Sequence, residues 1–127
     1  MAVKFLSERW AEALKTELNA SAGFKEAAAG KTATIQQVIG GADGETHYWI
    51  VIADDAIDMG IGDAIDPDVT ITQGYETAAA LAKSELSPVT AFMIGKVKVA
   101  GNMGLLLGLQ GVLALLPTAM ASIDVDY

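Results

Sequence analysis

The chain has 127 residues and a net charge of −8, with sixteen acidic and eight basic side chains, one histidine and no cysteine. This excess of carboxylates excludes a nucleic-acid phosphate backbone as a partner and disfavours docking on anionic lipid surfaces. Without cysteine there is no disulfide framework, thiolate nucleophile or cysteine-based zinc site. Apolar residues make up 52% of the chain, so it must bury much apolar surface, and its length predicts a single domain over residues 1–127.

The first segment predicts an amphipathic helix. Leu6, Trp10, Leu14 and Leu18 recur at intervals of four, which places them on one helical face. Ser7 is suited to cap the first turn, because its hydroxyl can accept a hydrogen bond from a free backbone N–H.

Five strands are predicted from runs in which apolar and polar side chains alternate. They cover Lys31–Ile39, Glu45–Ala53, Ala56–Gly62, Asp68–Gln73 and Lys96–Ala100. The alternation indicates one buried and one wet face, as in an antiparallel sheet. The pair Asp43-Gly44 predicts a hairpin between the first two strands, and we expect the first four strands to form a meander.

Short helices are predicted around these strands. One around Phe24–Ala29 is expected to end at Gly30, and the alanine-rich segment Tyr75–Lys83 forms another. Ser87-Pro88 supplies a cap and a first helical residue for a third helix, which Gly95 ends.

The C-terminal segment from Asn102 is expected to form two helical pieces separated near Gly111 or Pro117. Together the elements predict an α+β fold, in which about five helices cover one face of a five-stranded, mostly antiparallel sheet.

The stretch Gly101–Ile123 has no charged residue and is long enough to span a bilayer. Gly104 and Gly108 match the spacing at which membrane helices dimerise. Gln110, Pro117, two further glycines and an acidic exit argue against a membrane span. The segment then belongs either to a plain core or to the wall of a cavity that holds an apolar ligand, and periodicity leaves both interpretations open.

A motif runs into this stretch. Residues 87–105 read Ser-Pro-Val-Thr-Ala-Phe-Met-Ile-Gly-Lys-Val-Lys-Val-Ala-Gly-Asn-Met-Gly-Leu. They resemble the signature of the sterol carrier protein-2 family, in which a short helix passes through Gly-Lys-x-Lys into a strand and then through Gly-Asn/Asp-Met into the next helix. Asp66–Thr72 is similar to the family's strand that leads into a helix, and the order of elements agrees over essentially the whole chain.

The resemblance implies a non-enzymatic carrier, without cofactor or metal, whose hydrophobic tunnel lies between the sheet and the helices. It would hold sterols, fatty acids, fatty acyl-CoA esters or phospholipids. By position in the family pattern, the residues on or near the tunnel wall are Phe92, Met93, Met103, Leu106, Leu107, Leu109 and Gln110. Gly108 stands where a basic residue is common in the family, and Leu106 stands where alanine is common. These two differences from the family pattern affect the expected mouth and width of the tunnel.

Two other functions remain open. The fold could serve as an accessory or assembly module with a vestigial cavity, and the oligomeric state, a homodimer included, is not fixed by the sequence. An enzyme would need His47 or the aspartates between Asp54 and Asp68, but these fit no EF-hand and no Gly-x-Ser-x-Gly elbow accompanies them. Charged side chains throughout Met1–Asn19 are unlike a signal peptide, so a cytoplasmic location is expected.

Overall fold

The computed structural model describes residues 2–41, 44–54, 56–83, 85–86 and 88–126, with the side chains of residues 88, 89, 110 and 113 outside that description. The helices are α1 (Glu8–Asn19), α2 (Ala22–Ala28), α3 (Tyr75–Ala82), α4 (Pro88–Met93), α5 (Met103–Gly108), α6 (Gln110–Leu113) and α7 (Leu115–Ala121). The strands are β1 (Val3–Lys4), β2 (Lys31–Gly41), β3 (Gly44–Asp54), β4 (Ala56–Ile61), β5 (Val69–Gly74), β6 (Val97–Gly101) and β7 (Val125–Asp126). The α+β class is confirmed, and each predicted strand is present.

Helix α1 forms where the apolar stripe predicts it. Ser7 caps the helix by accepting a hydrogen bond from the backbone N–H of Trp10 at 3.2 Å. Trp10 and Leu18 are buried. At the end of the helix, the Asn19 side chain bonds both the N–H and the carbonyl oxygen of Ile57 in β4. The helix therefore lies along β4 with its stripe in the core.

Strand β2 lies at the centre of a five-stranded sheet whose order is β4-β3-β2-β5-β6. It pairs antiparallel with β3 along its whole length and parallel with β5, where Ile35 lies opposite Val69. The predicted four-strand meander is wrong at β5, which pairs with β2 rather than with β4. The sheet is still mostly antiparallel, because β3–β4 and β5–β6 are antiparallel pairs.

Residues 62–68, which we call the crossing segment, carry the chain from β4 to β5 over the outer face of the sheet. The side chain of Gln36 reaches it from β2: its Oε1 accepts from Ala64 N–H at 2.5 Å, and its Nε2 lies 3.2 Å from the carbonyl oxygens of Tyr48 and Gly62. Gln36 points away from the core because its neighbour Ile35 points into it. The crossing segment is therefore what buries Gln36 on an otherwise wet face.

Asp68 ends the crossing segment beside β2. Its carboxylate accepts from the N–H of Thr34 at 2.9 Å, and its own N–H donates to the Thr34 carbonyl at 2.8 Å. The end of β6 also closes on it, since Asn102 N–H donates to the Asp68 carbonyl at 3.0 Å. Gly101 has a φ of +112°, and a Cβ there would overlap that carbonyl, so glycine is required at this junction.

The opposite face of the sheet carries the core. Its buried strand residues include Ala33, Ile35, Ile39, Ile50, Ile52, Ile57, Val69 and Ile71. Helix α1 packs over β4, α2 over β3, and α3 over both β2 and β5, while α7 packs on α1 and α3. The predicted cover of helices on one face is thus confirmed.

The C-terminal segment departs from prediction. It forms three helices, α5, α6 and α7, and the breaks fall at Leu109 and Ala114 rather than near Gly111 or Pro117. Pro117 is tolerated as the third residue of α7, because the first N–H groups of a helix have no partner within it. After α7, β7 pairs in parallel with β1, with Val3 opposite Val125, a ladder too short to have been predicted.

One predicted cap, at Ser87, and one predicted hairpin turn, at Asp43, lie partly outside the described residues. The predicted end of α4 at Gly95 is confirmed by its φ of +79°. Likewise Gly30, with a φ of +75°, follows α2.

Replacing Gln36 with leucine tests how far the sheet order depends on the crossing segment. The substitution leaves Ala64 N–H and the facing carbonyl groups without their partner, at about 1–3 kcal/mol for each buried group. We expect the free energy of unfolding, measured by urea denaturation, to fall by at least about 2 kcal/mol. Thr32→Leu, at an exposed position of the same strand, is the control and should change it by less than about 0.5 kcal/mol. Equal losses in the two variants would contradict the role given to Gln36.

Candidate functional site

Helix α3 borders a cavity at each of its ends. Its eight residues make it about 12 Å long, and it packs over β2 and β5 on the core face. We therefore take the surroundings of α3 as the candidate functional site.

The cavity at the end of α3 lies between α3 and α7 and has a volume of about 270 Å³. Its lining, apolar except for one lysine, consists of Ala82, Lys83, Pro117, Met120, Ala121, Ile123 and Val125. The Lys83 ammonium lies at its rim and pairs with Glu85 at 3.6 Å. Four of the lining residues belong to the uncharged stretch Gly101–Ile123, while Leu109 and Val112 of the same stretch are buried in the core.

The cleft at the start of α3 is wider and more polar, with a volume of about 890 Å³. Its walls come from the residues before α1, the paired ends of β2 and β3, and the first turn of α3. They are Lys4, Phe5, Leu6, Ser7, Gly40, Gly41, Gly44, Thr46, Gly74, Tyr75, Glu76 and Thr77. The lining includes two charged residues, Lys4 and Glu76, and three hydroxyl-bearing residues from Ser and Thr.

An aromatic cluster lies beside this cleft, and two of its members, Phe5 and Tyr75, line the cleft. Phe5 packs edge-to-face on Tyr75 and on Trp10, with ring centroids 5.6 and 5.2 Å apart, and Trp10 packs on Tyr48 at 5.1 Å. Burial alone raises the pKa of the Tyr48 phenol above its ordinary value, so this ring stays neutral. The Nε1–H of Trp10 is buried and has no hydrogen-bond partner among the described residues.

Between the two cavities, α3 faces the sheet with small side chains. Ala78, Ala79 and Ala82 are its buried residues. The sheet below carries a polar pair on its core face, where Gln73 Nε2 donates to Gln37 Oε1 at 3.2 Å. Gln73 Oε1 is buried and, within the described part of the chain, has no partner. An unsatisfied buried acceptor is rare in a native core and marks a place where a polar group can bind.

The predicted wall residues fall into two groups. Leu109 is buried in the core, and Leu106 is half-buried against it. Phe92, Met93, Met103 and Leu107 have exposed side chains on α4 and α5. The side chain of Gln110 lies outside the described residues.

None of the predicted wall residues with described side chains lines either cavity. The α3–α7 cavity is lined mainly by residues of α3 and α7 and by the residues that directly follow these helices. Pro117, Met120 and Ile123 could have been chosen from the sequence, since they lie in the uncharged stretch. Ala82 and Val125 had no such signal, because their part in the cavity depends on the packing of α3 against α7.

His47 lies apart from the cavities, on the outer face of β3. Its Nδ1 lies 2.5 Å from Asp63 Oδ1 in the crossing segment, and its Nε2 lies 3.2 Å from Glu45 Oε1. The hydrogen bond to Asp63, followed by that to Glu45, raises the pKa of His47 above 6.5. Each ring nitrogen therefore has a carboxylate partner, and the imidazole links the crossing segment to β3. In this arrangement neither nitrogen is available to bind a metal ion or to act as a general base.

Two features of the described residues bear on the alternatives. No helix there is long and apolar enough to cross a membrane, and the described part of Gly101–Ile123 forms three short helices. Nor is any group of three or more histidine, cysteine, aspartate or glutamate residues in the described ranges placed to hold a metal ion.

The model of the SCP-2 sterol transfer family matches residues 7–114. The chain belongs to this family. The predicted resemblance is thereby confirmed, and the match extends well beyond the motif at residues 87–105. No curated protein matches the chain by sequence.

Solved structures of the same fold show how far the likeness extends. A crystal structure of sterol carrier protein 2 has a TM-score of 0.80 at 18% identity, covering 94% of this chain and 98% of that chain. A conserved hypothetical protein from Thermus thermophilus has a TM-score of 0.75 at 18% identity, covering 96% of this chain and 91% of that chain. UbiJ-SCP2, a ubiquinone synthesis protein, has a TM-score of 0.58 at 20% identity, covering 86% of both chains. At these identities, the likeness shows a shared fold alone.

The pKa of His47 tests the contact between β3 and the crossing segment in this member of the family. Because His47 is the one histidine in the chain, its imidazole signals in an NMR titration are unambiguous. We expect a pKa above 6.5, moved back towards 6.5 by Asp63→Asn and unchanged by Asp66→Asn, an exposed site in the same segment. A raised pKa means that the pair stabilises the fold below pH 6.5 and that this stability is lost as the pH rises through the folded-state pKa. A wild-type pKa at or below 6.5 would contradict the geometry.

Proposed function

We propose that the chain is a non-enzymatic lipid-binding domain that holds a sterol, a fatty acid, a fatty acyl-CoA ester or a similar lipid between its sheet and its helices. The cytoplasmic location expected from the sequence and a single domain over residues 1–127 are part of this proposal. Membership of the SCP-2 sterol transfer family supports it.

One observation carries the proposal, namely the apolar cavity between α3 and α7. Pro117, Met120 and Ile123 line it from the uncharged stretch, which a plain core would not require. Methionine suits such a wall, because its flexible thioether adapts to ligands of different shape. The same property fits a carrier with loose selectivity.

The proposed ligand path runs beneath α3, from the cavity at its end towards the cleft at its start. The alanines on the buried face of α3 leave room for a chain, if the helix moves away from the sheet. Leu106 and Leu109 would meet the ligand from the core side. Phe92, Met93, Met103, Leu107 and Gln110 stay in the proposed binding set, with the exposed members at its rim.

The polar end of the ligand is expected to be neutral where it lies in the core. The buried polar side chains among the described residues are Gln36 and Gln37, and no charged side chain is buried there. A buried carboxylate would lack a cation to pair with, which costs several kcal/mol or more. Gln73 Oε1, as an acceptor, instead suits a hydroxyl group. A carboxylate head would remain at the rim, near Lys83.

A second function is favoured by the size of the cavity. At about 270 Å³ it lies just below the range of roughly 300–1,000 Å³ found for small-molecule sites. Such a cavity fits an accessory or assembly module that keeps the fold without carrying lipid. The likeness to UbiJ-SCP2, a ubiquinone synthesis protein, is in line with this alternative.

Mass spectrometry of an organic extract of the native protein distinguishes the two functions. The carrier should release co-purified lipid and, once delipidated, bind a fluorescent fatty acid or sterol analogue saturably. An accessory module should release none, bind neither analogue, and form a stable complex with itself or with another protein.

Filling the cavity tests the site itself. Ala121 is exposed and lines the cavity, so Ala121→Trp places an indole in it without disturbing the core. Overpacking of about 1–3 kcal/mol predicts at least about fivefold weaker binding of the fluorescent analogue. Ala114→Trp, at an exposed alanine just before α7 and outside the lining, is the matched control. Unchanged affinity in Ala121→Trp would place the ligand elsewhere.

A further inference from the structure

Three consecutive large apolar side chains project from the end of α4. Phe92, Met93 and Ile94 are 47%, 79% and 58% exposed. Together with Lys96 and Lys98, which follow them, we call them the α4–β6 patch. Single exposed apolar residues are common on protein surfaces, but a run of three at one turn is the kind of patch that marks an interaction site.

The backbone holds these side chains outward. Ala91, directly before them, is fully buried, and its carbonyl accepts from Lys96 N–H at 2.9 Å. Ile94 N–H donates to the Thr90 carbonyl at 3.0 Å, and Gly95, with a φ of +79°, turns the chain into β6. With Ala91 anchored in the interior, the next three side chains cannot all turn inwards.

The charge around the patch is positive, whereas the net charge of the chain is negative. All sixteen acidic residues lie outside residues 86–123, and the two charges within that range are Lys96 and Lys98. Both lysines are exposed and belong to the edge of the sheet, since β6 is the last strand. Beyond β6, Met103 and Leu107 are one helical turn apart on α5 and are also exposed.

We propose that the α4–β6 patch docks on the surface of an anionic lipid bilayer, with Phe92, Met93 and Ile94 inserted among the headgroups and Lys96 and Lys98 against the lipid phosphates. Apolar side chains beside lysines are the composition of interfacial membrane anchors. The net charge of −8 does not prevent this, because the surface potential of a bilayer falls off within about one Debye length. Within the stretch 86–123 that carries the patch, Lys96 and Lys98 are the charged residues.

Charge also argues against a second copy of the chain as the occupant. A two-fold interface would place the same patch on both sides, which would bring the lysines of the two copies together. An anionic bilayer presents a net negative charge to them.

Flotation of the full chain with vesicles tests the proposal. One set contains phosphatidylcholine alone, and the other contains phosphatidylcholine and phosphatidylglycerol in equal parts. We expect binding to the anionic set, weakened by added salt, and little binding to the neutral set. Ile94→Asp should weaken binding at least about tenfold, and Lys96→Glu with Lys98→Glu about twenty-fivefold or more, at about fivefold for each lysine lost.

Matched controls separate the patch from general effects. Ile65→Asp makes the same change at another isoleucine, 90% exposed in the crossing segment, and Arg9→Glu with Lys25→Glu repeats the charge reversal at other exposed basic residues. Both controls should bind like wild type, and circular dichroism should show every variant folded. Equal loss in Ile94→Asp and Ile65→Asp would overturn the proposal, as would absent binding to the anionic vesicles or, in sedimentation, a dimer that Ile94→Asp dissolves. Phe92 and Met93 also belong to the proposed binding set, so the extraction experiment is run on Ile94→Asp as well. A variant that keeps its co-purified lipid but no longer floats with the vesicles separates docking from lipid carriage.

Discussion

The crossing segment is the constraint on which the rest of the structure depends. Held by Gln36 on one side and Asp68 on the other, it delivers β5 to the far side of β2 and makes that pairing parallel. Parallel strands cannot be joined by a tight turn, so the chain must travel across the sheet. Helix α3 then follows β5 and packs over both β5 and β2. Both cavities border α3, so their position follows from where β5 lies.

The charged residues are distributed unevenly along the chain. All sixteen acidic residues lie outside residues 86–123, and the charged residues within that range are two lysines. A single apolar helix of that length would need a bilayer or a large core around it. Division into α5, α6 and α7 lets Leu109, which lies between the first two, reach the same core as Val112 of α6 and Met120 of α7.

The sequence patterns correctly predicted the features that depend on residues close to one another in the chain. The alternation in β2 to β6, the Ser7 cap and the end of α4 at Gly95 each depend on residues within a few positions of one another. The partner of β5 could not be predicted in this way, because it depends on Gln36 and Ala64, which lie 28 positions apart. The residues that line the α3–α7 cavity could not be predicted for the same reason, because they come from distant parts of the chain. The predicted wall residues came from a family pattern, and a pattern of that kind does not show which side chains are exposed before a ligand is present.

Small side chains and a polar pair lie together in the core beneath α3. Alanine at 78, 79 and 82 lets α3 lie close to the sheet, so a ligand on the proposed path would have to move the helix outwards. The acceptor of Gln73 is buried there and has no partner among the described residues, which costs about 1–3 kcal/mol. A ligand that lifts α3 and offers a hydroxyl group to Gln73 would recover part of that cost while covering the apolar surface it exposes. Under the proposed function, the polar pair would therefore favour ligands with a neutral polar end over plain hydrocarbon, although both would fit the alanine face.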